Sequence, residues 1–180
     1  KPDLIEHYKD GHNNLYPEDV AILGDVTGKS LVHLQCNDGQ DTLSIAKHLD
    51  ADVLGVDISD EAVTFAQKMS DETNIAAQFI RADIFDWFED NQTQYDVVYT
   101  SYGALIWISD ISRWASGIAK TLKTGGKVVM IDFHQTGLMF DFDWNSLLWL
   151  HPGDLGRDRF GELRLGISGA ELIDRAGPVL

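Results

Sequence analysis

The stretch LVHLQCNDGQDTLSIAKHLDADVLGVDIS, residues 31–59, decides the fold. Leu31–Gln35 is a short apolar run of strand length, and the turn-prone Asn37-Asp38-Gly39 follows it. From Thr42 to Leu49 the period changes. Leu43, Ile45, Ala46 and Leu49 fall at helical spacing. Asp52–Ile58 returns to a strand, rich in valine. A strand, a glycine-bearing turn, a helix and a second apolar strand make a βαβ unit, which requires a parallel pair.

The alternation continues outward. Ser59 caps a helix that runs to about Glu72, with Asp60 and Glu61 in its first turn, where a carboxylate suits the helix dipole. Ala62, Val63, Ala66 and Met69 share one face. Ala77–Ala82 reads as a third strand, Asp83–Asp90 as a loop with a short helix, and Tyr95–Ser101 as a fourth strand. A helix begins at Ser109 or Asp110 and passes Trp114, Ile118 and Leu122. Lys123-Thr124-Gly125-Gly126 is a turn, and Lys127–Phe133 a fifth strand. Five strands alternating with helices predict a doubly wound, mostly parallel sheet with right-handed crossovers. Two short helices are expected before it, around Tyr8–Tyr16 and Glu18–Leu23. Residues Gly137–Gly166 read as irregular and aromatic, and Ser168–Ala176 as a last amphipathic helix.

With 180 residues and 44% hydrophobic content, the chain suits one domain with one sizeable core. Three parts are expected in it: a helical cover at 1–28, a cofactor-binding core at 29–136, and a substrate-side segment with the last helix at 137–180. The formal net charge of -15 disfavours nucleic acid and anionic membrane surfaces as partners. No apolar run reaches the length of a membrane span. The single cysteine, Cys36, cannot form an internal disulfide, and no cysteine–histidine group has zinc spacing, so no metal is expected. A soluble protein of the reducing cytoplasm fits these features, whereas the oligomeric state is not legible.

In an open parallel sheet, ligands bind outside the carboxyl ends of the strands, near the point where strand order reverses. Asp57 ends the second strand, where a carboxylate can accept both hydroxyls of a ribose; a turn or capping aspartate would look the same. Asp83 ends the third strand. An acceptor there can take an exocyclic amine of adenine while the Ile84 amide faces a ring nitrogen. Ile58 and Ile84 could sandwich the base; the alternative for Asp83 is a solvated acidic turn. Gly39, the one glycine of the first loop, would let backbone approach a ligand closely. That loop lacks the three spaced glycines of a dinucleotide fingerprint and is acidic, which suits a cationic ligand better than a pyrophosphate. Cys36 and His33 read as core residues. His134 is a candidate base facing the substrate, or else structural. Tyr102, Trp107, Phe133, Phe140 and Trp144 would gather as an aromatic wall or simply as core, and Trp114 belongs to the core.

At these residues the chain resembles class I S-adenosylmethionine-dependent methyltransferases of the methyltransferase-domain type, in a subgroup whose first motif reads His-Leu-Gln-Cys. The resemblance rests on His33 through Thr42, on Gly55-Val56-Asp57-Ile58-Ser59, on Ala82-Asp83-Ile84, on Tyr95 through Gly103, and on Leu122-Lys123-Thr124-Gly125-Gly126. It covers about Lys29–Phe140. It implies a Rossmann-like methyltransferase fold and S-adenosylmethionine as cofactor. It also implies cofactor contacts at Gln35, Asn37, Gly39, Asp57, Ile58, Asp83, Ile84 and Ser101, and amino-terminal cover residues at Tyr8, His12 and Tyr16. Two departures stand out. The usual acidic residue of the first motif is His33, with two motif glycines replaced by Gln35 and Asn37. The antiparallel strand pair that ends such proteins is not legible after Pro178.

Methyl transfer is an in-line displacement at an activated carbon, so positioning matters more than any catalytic side chain. His134 and Tyr102 are the only candidates for a base, needed only if the acceptor must lose a proton. The acceptor is expected to be a small molecule. Two other readings stay open: a nicotinamide-dependent oxidoreductase of Rossmann type, and a domain that binds the cofactor without turnover.

Overall fold

A computed structural model describes residues 3–132 and the strand at 163–168. The chain enters through two short helices, α1 (Asp3–Lys9) and α2 (Pro17–Leu23). It then alternates through β1 (Ser30–Leu34), α3 (Gln40–His48), β2 (Asp52–Asp57), α4 (Asp60–Thr73), β3 (Gln78–Arg81), α5 (Ile84–Asp90) and β4 (Tyr95–Ser101). A single 3-10 turn at Leu105–Trp107, helix α6 (Ile111–Thr121), β5 (Leu122–Asp132) and β6 (Leu163–Ser168) follow.

The sheet order is β3-β2-β1-β4-β5-β6. The first five strands run parallel, as expected, and β6 pairs antiparallel with β5, Lys127 opposite Ser168 and Asp132 opposite Leu163. Strand order reverses at β1, which lies between β2 and β4.

Burial on both faces explains why the central strands read as continuous apolar runs. Successive side chains point to opposite faces. Val32, Leu34, Val56 and Val98 pack with Trp87, Trp114 and Ile118 from α5 and α6. Leu31, Val53, Val97, Tyr99 and Val129 pack on the other face with Leu23, Val26 and Ile45. A third cluster joins Ile5 and Tyr8 of α1 to Leu43 of α3 and Met69 of α4. Caps fix the helix starts: Ser59 accepts from the Ala62 amide, Asp83 from those of Phe85 and Asp86, and Asp110 from that of Arg113.

Several expectations are corrected. The first helix ends at Lys9 rather than extending to Tyr16, because Gly11, at φ 88°, turns the chain. The turn at Lys123–Gly126 survives as a bulge inside β5: pairing with β4 jumps from Tyr95–Leu122 to Val97–Lys127. Leu163–Gly166, expected to be irregular, lies in β6, so an antiparallel strand does occupy the sheet edge ahead of the expected last helix. Of that helix, Ser168 ends β6 and the remainder lies outside the described residues, as do His134, Phe133, Phe140 and Trp144. Among the described residues no helix is long and apolar enough to cross a membrane.

Candidate functional site

The carboxyl ends of β1 to β4 enclose a cavity of about 1090 Å³ at the point where strand order reverses. Of the eight expected cofactor contacts, Gln35, Asn37, Asp57, Ile58, Asp83, Ile84 and Ser101 line it. Gly39 does not. Its φ is 78°, and a Cβ there would come within 2.7 Å of both Ala66 and the Phe79 ring. Glycine stands at position 39 to turn into α3 and to seat Phe79.

The loop after β1 takes the path that glycines would make easy, with other residues. Gln35 and Asn37 have φ values of 56° and 50°. Asparagine tolerates this region, whereas glutamine there costs on the order of 1 kcal/mol and must be held by its surroundings. Gln35 is held: its Nε2 donates to the Ala104 carbonyl across the cleft at 2.9 Å. That bond fixes Oε1 as the acceptor end of the amide, and Oε1 is buried with no hydrogen-bond partner among the described residues.

Asp57 is bound into this loop. Its Oδ2 accepts from the Asn37 amide at 2.7 Å and its Oδ1 from the Ser59 amide at 2.9 Å. A carboxylate has about four acceptor positions, so the turn role and a ligand role coexist. Asp83 caps α5 through Oδ1 alone, at 2.8 Å from the Phe85 amide, so Oδ2 takes no part in the cap. Ile58 is 58% exposed although apolar, at the cavity edge opposite the buried Ile84.

On the β4 side, buried Asp132 accepts from the Gly103 and Leu105 amides at 2.7 and 2.8 Å and fixes the loop that carries Tyr102 and Ala104. Tyr102 lines the cavity, and its hydroxyl donates to buried Asp19 at 2.8 Å. That bond ties the base candidate to α2. Trp107 lines the mouth and is 79% exposed. Of the expected cover residues, only Tyr16 reaches the cavity. Tyr8 is buried beneath it, donating to the Gln40 carbonyl, and burial pushes its phenol up to about 12. His12 is exposed and outside the lining. Asn14, not expected, lines the cavity instead.

Among the described residues four carboxylates line the cavity, Asp38, Asp41, Asp57 and Asp83, and no lysine or arginine does. His33 adds no positive charge, because burial pushes its imidazole down to about 3. It is the hydrogen-bonded core histidine expected, with Nδ1 2.9 Å from Thr42 Oγ1 and Nε2 3.3 Å from Ser101 Oγ. Cys36 is buried and its thiol is pushed up by burial and then by Asp57, so it is no nucleophile. Asp41 is the residue the sequence reading missed. It accepts from Asn14 Nδ2 at 2.5 Å and from Ser101 Oγ at 3.1 Å, and burial holds its carboxyl above the usual range. Among the described residues no cluster could hold a metal ion.

The fold and cleft define a Rossmann-like α/β protein with a cavity at the strand-order switch point. The model of the methyltransferase-domain family matches residues 32–126, and the chain belongs to that family. It is 31% identical over 114 residues to the 2-phytyl-1,4-naphtoquinone methyltransferase of Nostoc punctiforme, covering 61% of this chain and 48% of that one. A solved S-adenosylmethionine-dependent methyltransferase from Mesorhizobium loti superposes with a TM-score of 0.56 at 26% identity, covering 70% of this chain and 56% of that one. The geranyl diphosphate C-methyltransferase of Streptomyces coelicolor, solved with S-adenosyl-L-homocysteine, superposes at 0.56 and 17% identity, over 64% of this chain and 43% of that one. The chain thus spans about half the length of these relatives.

Proposed function

We propose that this chain binds S-adenosylmethionine in the cleft and transfers its methyl group to a small-molecule acceptor. The observation that carries the reading is the convergence of Asp57 and Asp83, from the ends of adjacent strands, on one cavity. In this reading Asp57 would accept the ribose hydroxyls and Asp83 the exocyclic amine of the attached purine, with Ile58 and Ile84 against the ring. The donor set fits the ligand's charge as well. A sulfonium and an ammonium would meet carboxylates and, among the described residues, no competing cation.

The cofactor supplies an activated methyl carbon. The protein's part is to position it, which can remove several kcal/mol of barrier. Gln35, Asn37 and Ser101 border the end of the cleft where a methionine tail would lie. Tyr102 and Trp107 border the mouth, where the acceptor would approach, and Trp107 offers a flat apolar face. The helical cover at 1–28, the core at 29–136 and the substrate-side segment at 137–180 act as one unit in this reading, in a cytoplasmic setting that the single buried thiol suits.

Calorimetry decides the cofactor. S-adenosylmethionine and S-adenosylhomocysteine should bind and NAD should not, and Asp57→Ala should weaken both ligands at least ~10-fold through the lost ribose bonds. Binding of NAD in preference to the methyl donor would overturn the assignment. Formation of S-adenosylhomocysteine in the presence of an acceptor panel then separates an enzyme from a domain that only binds.

A further inference from the structure

The first motif lacks its acidic residue at His33, yet a carboxylate remains nearby. The hydrogen-bond directions around His33 identify it. Asp41 is an acceptor at both oxygens, taking Asn14 Nδ2–H at Oδ1 and the Ser101 hydroxyl proton at Oδ2. Ser101 has one proton, and it goes to Asp41. His33 Nε2 therefore donates to Ser101 Oγ, and Nδ1 accepts from Thr42. Thr42, His33, Ser101 and Asp41 form a chain of donors that ends on the Asp41 carboxylate, the arrangement an ionised Asp41 requires. Asp41 stands at the cavity surface in the first turn of α3, where no cation among the described residues is paired with it. Gln35 lines the same cavity from the end of β1 and holds the loop through its bond to the Ala104 carbonyl.

We propose that Asp41 binds the ammonium group of the cofactor's methionine tail. The acidic function moves from β1, where the resemblance expects it and His33 stands, to the first turn of α3. The proposal rests on the reading of S-adenosylmethionine as ligand. An ammonium brings three donors and a positive charge. It offsets the desolvation that raises the Asp41 carboxyl, together with the repulsion from Asp19 and Asp38. Asn14 and Ser101 hold the carboxylate in place, and His33 acts through Ser101 as a positioning residue.

The test compares Asp41→Asn with the wild type for three ligands. They are S-adenosylhomocysteine, its deaminated analogue without the ammonium, and 5′-methylthioadenosine without the whole tail. Loss of one charge-assisted hydrogen bond should weaken S-adenosylhomocysteine about 10- to 100-fold in Asp41→Asn and leave the other two within about 2-fold. The wild type alone should prefer S-adenosylhomocysteine to the deaminated analogue by at least ~10-fold, a measurement that needs no variant to fold. Equal affinities for these two in the wild type would overturn the proposal while leaving the cofactor reading intact. A uniform loss over all three ligands in Asp41→Asn, or no loss, would do the same. Failure of the wild type to bind any of the three removes the cofactor reading itself, and the proposal with it.

Discussion

Lowering the pH from 7 to 4.5 should strip about 3 kcal/mol from the stability of this fold through His33 alone. The imidazole is buried, its ring is tilted against Tyr99 at a centroid distance of 4.7 Å, and both nitrogens are engaged. Burial depresses its folded pKa to about 3, from an ordinary value of 6.5. An imidazole with a lower pKa in the fold than in the unfolded chain binds fewer protons in the native state. Its contribution is therefore whole above about pH 6.5 and lost as the pH falls toward 3. The slope within that window is about 1.4 kcal/mol per pH unit. The two units between 6.5 and 4.5 give the quoted figure, and the full window gives on the order of 5 kcal/mol. Urea unfolding of the wild type and of His33→Gln, at half-unit steps from pH 7 to 4.5, isolates the term. The other ionisable groups are common to both proteins and largely cancel in the difference. His33→Gln should be the weaker protein at pH 7, and the gap should close by about 1.4 kcal/mol per unit below pH 6.5. A gap that stays constant across the range would mean that His33 can be protonated in place, and the donor chain drawn from its neutral state would then be wrong.

Asp41→Asn should stabilise the ligand-free protein at pH 7. A carboxyl whose folded pKa is raised by burial opposes the fold once ionised, so the gain over the wild type should vanish as the pH falls below the carboxyl's unfolded value; thermal unfolding at pH 7 and pH 3.5 reads it, and a less stable variant at pH 7 would refute it. Gly117→Ala should destabilise despite the better helix propensity of alanine, because a Cβ on α6 would enter the ring of Phe88 on α5. Overpacking of this kind costs about 1–3 kcal/mol against a propensity gain near 1, so urea unfolding should report a net loss of about 1 kcal/mol, and a gain would show that the α5–α6 contact yields easily.

Much of this was legible in the sequence because parallel strands buried on both faces leave long apolar runs. Val53–Val56 and Val97–Thr100 admit no other assignment beside glycine-rich turns and capped helices. Asp57 was legible for a related reason, as the first polar residue after such a run, and Asp83 by its place between β3 and the helix that follows. The antiparallel β6 did carry a signal. Leu163, Leu165 and Ile167 alternate with Arg164, Gly166 and Ser168, a period of two that the surrounding aromatic residues obscured. Other features depend on contacts between residues far apart in the chain. Nothing near Gly39 reveals that Phe79 fills the space beside it. Asp19 looks like a helix-start aspartate, and so it is, accepting from the Tyr16 amide at 2.7 Å, but its other oxygen holds the Tyr102 hydroxyl. Asp41 was quoted in the first motif, yet it reads as one more acid favoured by a helix dipole until Ser101 and Asn14 are brought to it.

His33 and Asp41 form one unit rather than two separate departures. A carboxylate at position 33 would sit in a buried place between Thr42 and Ser101. It would compete with Asp41 for the single Ser101 proton, with two like charges on either side of one hydroxyl. A neutral imidazole removes the conflict: it donates where a carboxylate could only accept, and so frees the serine proton for Asp41. Conversely, with His33 in place and no carboxylate at 41, Ser101 would lose its acceptor and the cavity would lose the anion nearest α3. The histidine costs nothing in charge at neutral pH, because burial keeps it uncharged. The aspartate does carry a desolvation cost, which a bound cation would offset. The replaced acid at the end of β1 is thus matched by one displaced to α3, and the cleft keeps the negative character that the proposed ligand requires.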